Sequence, residues 1–429
     1  LQDLFAGFDT PSKLKNNLLY YGDNLTIMGS MPPESVDLIY LDPPFNSQRT
    51  YNLIYRQMTG LPLPEQEDAF CDAWEMDSEK EDMLTKMPII FKDNDISDDV
   101  LALWNGWIKA LRTAQPALLA YLVYMTFRIV HMRRILRKTG SLYLHCDPTA
   151  SHYIKVMMDA IFGWRNFRNE IVWQRTGAHN DAKRFGRVTD SILYYTRSAT
   201  YTFNPQFTEY DPAYVSDRYR YVDEASGRLF WPNTMTAAGP GPERMFRGEI
   251  RKPPAGTHWR FSQAQIDKLE AAGNIYYSAS GMPYVKSYLD ERKGRPVQNL
   301  WSDIVMSKSG ADRLGYATQK PIPLLERIIK ASSNEGDVVF DPFCGCGTSI
   351  YAAHLTGRKW IGCDIAILSV QIVRDVLLKR YGLIDGEHYE VQGVPLSVEG
   401  ARDLLARNER QFQHWAVELS GGFCSNRHS

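Results

Sequence analysis

Asp42-Pro43-Pro44-Phe45 follows directly on the apolar run 36–41. Neither proline can continue a central strand, because each lacks an N–H and has a fixed φ, so the run must end in a rigid turn. Two consecutive prolines also leave carbonyl oxygens with no neighbouring N–H competing for the site. Asp42 adds a second acceptor and Phe45 a flat apolar face. Together they suit an exocyclic amine on a planar heterocycle: its two N–H groups donate to Asp42 and to the Pro43 carbonyl while the ring stacks on Phe45. Drawing both N–H bonds weakens conjugation of the lone pair with the ring, so the nitrogen can attack an electrophilic methyl directly. Attack through ring carbon would instead call for a thiolate, typically after proline. The sequence contains no Pro-Cys pair.

A second constellation is Asp341-Pro342-Phe343-Cys344-Gly345-Cys346-Gly347-Thr348, after the apolar run 338–340, with Asp364 another 23 residues on from Asp341. A glycine turn between strand and helix, with a carboxylate closing the next strand, has the spacing of a nucleotide-binding βαβ unit. The third glycine of a dinucleotide fingerprint is missing, and no Gly-Lys-Ser/Thr follows as in a P-loop. Asp341 would repel a pyrophosphate but suits an ammonium. S-adenosylmethionine fits, with ribose hydroxyls for Asp364, a sulfonium, an amino-acid tail and no phosphate. No metal is needed for this chemistry. His145-Cys146-Asp147, the one cluster of ligand-type residues at a strand end, is expected to pack and hydrogen-bond rather than bind metal.

Elements that would position these residues alternate as strand, helix, strand. Strands are expected at 36–41, 140–145, 337–340 and 358–363, and helices at 121–137 and 348–355. That pattern predicts an α/β fold with a parallel sheet and helices on both faces, whose ligands lie beyond the carboxyl ends of the strands. The arginines of the 121–137 helix (Arg128, Arg133, Arg134 and Arg137) read as a solvated face or as phosphate contacts. The length of 429 residues suits two or three domains, and a net charge of −1 excludes a histone-like arm or polyacidic tail. Six cysteines without a CxxC pair exclude a disulfide scaffold. No signal peptide opens the chain, and the longest apolar run, 117–127, is too short for a bilayer, so a cytoplasmic protein without a membrane partner is expected.

Two inserts differ in charge. Residues 61–100 carry 13 acidic residues against 3 lysines, which reads as a solvated face or mobile loop. Residues 165–260 carry 15 basic residues against 10 acidic ones, interleaved with aromatics such as Trp173, Tyr194, Tyr214, Tyr221 and Trp231. The segment reads as a β-rich domain with charge for phosphates and aromatics for bases.

The paired motifs, catalytic first and cofactor last, resemble those of the β class of amino-group DNA methyltransferases. Gly22-Asp23-Asn24-Leu25 and Thr318-Gln319-Lys320-Pro321 resemble its flanking motifs, and the resemblance covers roughly residues 15–380. It implies a Rossmann-like, adenosylmethionine-dependent fold in permuted order. The catalytic half would be 15–164, an inserted target-recognition domain 165–300, the cofactor half 301–385 and a C-terminal extension 386–429. Asp42, Pro43, Pro44 and Phe45 would be catalytic. Asp23, Lys320, Pro321, Asp341, Pro342, Phe343, Gly345, Gly347, Thr348 and Asp364 would hold the cofactor. The implied substrate is adenine N6 in a specific sequence of double-stranded DNA, with the base flipped out of the duplex. Phe45 stands where Tyr is commoner in the family, and Asp42 favours adenine over cytosine N4. Other readings are cytosine-N4 methylation, an inactive DNA-binding module, or methylation of RNA or protein. A homodimer and a restriction partner are compatible with the resemblance. No acidic–lysine nuclease cluster is present, so cleavage is not expected of this polypeptide.

Overall fold

The computed structural model describes residues 17–44, 50–56, 62–71, 74–146, 150–177, 183, 185–306, 319–395, 398–407, 412–413 and 415–416. Phe45, Asp147 and Thr318 lie outside the described residues. The chain forms two compact units, residues 1–204 with 298–429, and residues 205–297.

The larger unit is built on a nine-stranded sheet. Its strands are β1 (Asn17–Tyr21), β2 (Val36–Leu41), β3 (Leu136–Cys146), β4 (Phe167–Gln174), β5 (Thr189–Thr196), β6 (Leu300–Trp301), β7 (Val338–Asp341), β8 (Lys359–Asp364) and β9 (Tyr389–Gln392). They lie in the order β6-β4-β5-β3-β2-β7-β8-β1-β9. From β3 to β9 every pairing is parallel. The expected parallel sheet is extended by β5, which runs antiparallel to both β3 and β4. All residues of β2 and β7 are buried, as strands covered on both faces must be. Residues 165–204 supply β4 and β5 of this sheet, so the compact insert starts at 205 rather than 165. Likewise β9 carries the sheet past 385, where the C-terminal extension was expected to begin.

The principal helices of this unit are α1 (Asn24–Ser30), α2 (Ser78–Asp93), α3 (Asp98–Ala114), α4 (Pro116–Ile135), α5 (Ser151–Met158), α6 (Ile322–Ser332), α7 (Thr348–Leu355) and α8 (Ile367–Tyr381). The amphipathic helix expected at 121–137 is α4, and it is not amphipathic: fourteen of its residues are buried, around its whole circumference. The acidic segment explains why. Its α2, together with α3, packs on α4 through Met83, Met87, Phe91, Val100, Trp104 and Leu111, while Glu79, Asp82, Asp98 and Asp99 stay exposed. The segment has a solvated face, but over 78–93 it is a helical cover rather than a loop. At roughly 1.5–3 kcal/mol for each large apolar side chain fully buried, such a cover contributes substantially to the core. Among the described residues, no helix is long and apolar enough to cross a membrane.

The smaller unit is β-rich, as its sequence suggested. Strands Ile275–Tyr277, Pro283–Tyr288, Leu229–Thr234 and Tyr221–Val222 pair antiparallel in that order. Helix Gln263–Ala271, opened by a Ser262/Gln265 capping box, helps close a small core of Met235, Phe246, Trp259, Ile266 and Ile275.

Candidate active site

β2 and β7 are sheet neighbours, with Leu38 opposite Val339 and Ile39 opposite Phe340. Asp42 follows the end of β2, and Asp341 closes β7. The chain leaves β2 toward β3 on one side of the sheet and leaves β7 toward β8 on the other. The two strand ends therefore flank the point where strand order reverses, the place where open α/β sheets hold their ligands.

The glycine turn is held by its own neighbours. Asp341, 4% exposed, accepts from the Phe343 N–H at 2.9 Å and from the Ser349 hydroxyl. Asp364 accepts from the Gly345 N–H at 2.9 Å and the Ala366 N–H at 2.8 Å. Gly347 caps α7 at φ 83°, and a Cβ there would lie 2.7 Å from Val373 and 2.9 Å from the Tyr351 hydroxyl, so no larger residue fits. Thr348 begins α7 and is buried, and Phe343 packs on the main core.

Burial pushes the Asp341 carboxyl up to about 7, with the neighbouring charges of Asp42 and Asp364 acting in the same direction. Burial also raises Asp364. Carboxylates so crowded suit a ligand that brings a cation and no phosphate, and the ammonium and sulfonium of S-adenosylmethionine meet that requirement. Burial drives the Cys346 thiol up to about 12 and Cys344 well above its ordinary value, so neither is a thiolate nucleophile.

At the catalytic end, Asp42 Oδ2 is ion-paired with the Lys320 ammonium, and Asp42 Oδ1 is buried without a hydrogen-bond partner. Pro43 is buried and Pro44 half-buried. Lys320 immediately precedes Pro321, the N-cap of α6. Lys320, expected beside the cofactor, is thus paired with the Asp42 carboxylate. Nothing in the local spacing signals this contact, which spans 278 residues.

Asp23 caps α1, its Oδ1 accepting from the Leu25 N–H at 2.7 Å. Its Oδ2 accepts from Arg128 Nη2 at 2.6 Å, and Arg128 Nε donates to Asn24 Oδ1 at 2.6 Å. Asn24 Nδ2 in turn donates to the Pro342 carbonyl at 2.8 Å. Arg128 is 1% exposed, with its guanidinium 3.3 Å from the Tyr124 ring centroid. The remaining arginines are also spent internally. Arg133 donates to the Asn94 carbonyl, Arg134 to the Met28 carbonyl and Arg137 to Asp37. Both sequence readings of this helix, solvated face and phosphate contact, are therefore overturned. The partners of these arginines come from the elements packed around α4: Arg128 and Arg134 meet α1 and its N-cap, Arg133 meets the end of α2, and Arg137, which lies on β3, meets β2.

His145 pairs through Nδ1 with the Tyr40 hydroxyl and through Nε2 with Asp190, each at 3.1 Å. Burial, with Lys320 nearby, lowers its pKa and keeps the ring neutral. It is a hydrogen-bonded core histidine.

An Asp-Pro-Pro strand end beside a buried acidic glycine turn, at the order reversal of an α/β sheet, is the arrangement of a Rossmann-like methyltransferase fold. The family model for N6/N4 DNA methylases matches residues 36–375, and the chain belongs to that family. The type II methyltransferase M.EcaI of Enterobacter cloacae is 32% identical over 269 residues, which cover 62% of this chain and 58% of that protein. The Mod subunit of the type III restriction-modification enzyme StyLTI of Salmonella typhimurium is 26% identical over 361 residues, 80% of this chain and 50% of that one. The DNA adenine methyltransferase YhdJ of Escherichia coli is 24% identical over 349 residues, 81% of this chain and 78% of that one. The chain spans about half the length of the first two of these relatives.

Proposed function

We propose that this protein transfers a methyl group from S-adenosylmethionine to the exocyclic N6 of an adenine flipped out of double-stranded DNA. The observation that carries the reading is Asp42, whose buried Oδ1 lacks a partner and which stands beside the acidic glycine turn. S-adenosylmethionine would supply an electrophilic methyl on a sulfonium. Asp341 holds its ammonium, Asp364 its ribose hydroxyls, and Asp23, Pro342, Phe343, Gly345, Gly347, Thr348 and Pro321 shape its enclosure. Asp42 Oδ1 accepts one N–H of the target amine and the Pro43 carbonyl the other, while Phe45 stacks on the ring. When the nitrogen takes the methyl, the methyl–sulfur bond would break with its electron pair going to sulfur, leaving a neutral thioether, and the nitrogen's surplus proton would pass to Asp42 and on to solvent. Adenine is favoured over cytosine by the aspartate at position 42 and by the relationship to a DNA adenine methyltransferase.

Residues 205–297 form the target-recognition domain in this reading. They carry a cavity of about 510 Å³ lined by Arg218, Arg220, Tyr221, Trp231, Tyr276 and Tyr284, and the Arg218 guanidinium lies 3.7 Å from the Trp231 ring centroid. Cationic and stacking groups on one surface suit phosphates and bases. A restriction subunit is the protein partner that the Mod relative suggests.

The test is transfer of labelled methyl from S-adenosylmethionine to unmethylated genomic DNA, followed by nucleoside mass spectrometry. N6-methyladenine supports the proposal, and N4-methylcytosine replaces the base while keeping the chemistry. Absence of any methylated nucleoside overturns it.

A further inference from the structure

We infer that Lys320 is the positioning residue of the catalytic carboxylate: it fixes Asp42 through Oδ2 so that Oδ1 alone remains for the target amine. The inference rests on the amine-clamp reading above. A carboxylate at the end of a strand can rotate about its last side-chain torsion and present either oxygen. In this protein the two oxygens have unlike surroundings. Oδ2 is held by the Lys320 ammonium, and Oδ1 is buried with no hydrogen-bond partner. Leaving a buried acceptor unsatisfied is costly, so such an atom implies a donor that arrives with a ligand. An amine N–H is that donor.

Charge supports the same division. Asp42 faces the buried Asp341 carboxyl closely enough to raise its pKa, so the two repel. An ammonium on the far oxygen offsets that repulsion and holds the carboxylate in one rotamer. The lysine side chain is 10% exposed and the aspartate 16%, so solvent screening of the pair is weak. Lys320 also sits next to Pro321, which begins α6 and fixes the backbone from which the side chain reaches. A lysine that only covered the cofactor would have no reason to divide the catalytic carboxylate in this way.

The test compares Lys320→Met, which keeps the alkyl stem and removes the charge, with Lys320→Arg, which keeps the charge. The substrate is whole-genome-amplified DNA, and all methyl transferred is counted whichever base receives it. Single-turnover rates are measured at saturating S-adenosylmethionine, cofactor Kd separately, and folding by Tm. Lys320→Met should lower the rate about 100-fold while changing cofactor Kd less than about threefold, and Lys320→Arg should recover at least about tenfold of the loss. If Lys320→Met does not fold, Lys320→Gln replaces it with the same expectation. A wild-type rate at saturating cofactor with weakened cofactor binding would overturn the inference in favour of a cofactor-covering role. So would an arginine variant no faster than the methionine one, or equal losses of rate and Tm in both. Any of these outcomes in a protein whose wild type transfers methyl leaves the proposed function standing. A wild type that methylates no DNA overturns the proposed function, and the inference with it.

Discussion

The acidic strand ends of the sheet are organised in two opposite ways. At the glycine turn, Asp341 and Asp364 are bound by N–H and hydroxyl groups of the same strand–helix–strand unit: Phe343, Gly345, Ser349 and Ala366. At the catalytic end, Asp42 takes its one observed partner from Lys320, far along the chain, and leaves an oxygen unpaired. A binding turn can be preorganised locally because its job is shape. Under the proposed function the Asp42 oxygen that meets the target amine stays unsatisfied until the base arrives, and Lys320 holds the carboxylate without filling that oxygen.

Four sets of variants sharpen or break this contrast. Asp42→Ala should lower single-turnover methyl transfer by about 10³-fold or more, since it removes an acceptor that acts on the reacting nitrogen. Calorimetry should find cofactor affinity within about threefold of wild type, and a parallel loss of affinity would mean the two ends are not separate.

Asp341→Asn should act the other way, weakening S-adenosylmethionine about 100-fold by removing the partner of its ammonium. Because burial lifts this carboxyl to about 7 from 3.8, wild-type cofactor affinity should fall as pH drops from 8 to 6. The same shift bears on stability. Between about pH 4 and 7 the folded chain holds a proton that the unfolded chain has lost, so stability declines as pH rises through that window and is level above it. Tm scans across pH should show this decline in the wild type, less of it in Asp341→Asn, and a relative gain for the variant at pH 8. Identical pH profiles would remove Asp341 from both roles.

Arg128→Met should destabilise the larger unit by about 3 kcal/mol, because a buried guanidinium bonded to Asp23, Asn24 and the Tyr124 carbonyl is lost. The half-exposed position of Asp23 places the effect toward the lower end of the range for buried pairs. Arg128→Lys should recover little of it, since an ammonium cannot span Asp23 and Asn24 as the forked guanidinium does. Denaturant unfolding measures both variants, and near-wild-type midpoints would break the link from α4 through Asn24 to the Pro342 carbonyl.

The smallest effect is expected in residues 205–297. Arg218→Ala with Arg220→Ala should reduce the slope of log DNA affinity against log salt by about 2 while leaving cofactor affinity unchanged. An unaltered slope would move the DNA contacts elsewhere.

Much of this architecture was legible because it is written in local chemistry. Pro43 and Pro44 must end β2, Gly345 and Gly347 must turn, and Asp364 must close the next strand, whatever surrounds them. The family resemblance rested on those same residues. What misled was α4. Its arginines look solvated in sequence, because a helix pattern carries no information about what will cover it, and part of the cover comes from an acidic segment that exposes Glu79, Asp82, Asp98 and Asp99. The antiparallel β5 was equally hidden, since strand direction depends on how the chain returns to the sheet rather than on composition.

Sequence alone therefore determined which groups stand at each strand end: the carboxylates of Asp42, Asp341 and Asp364, with prolines after the first and a glycine turn after the second. Tertiary structure decided how those groups are tuned. It placed Asp42 beside Asp341, set Lys320 on one oxygen and not the other, and buried Arg128 behind Asp23 and Asn24. The reason is physical: residue type and spacing fix covalent and backbone preferences, whereas burial, charge proximity and the pairing of distant side chains exist only once the chain has closed on itself.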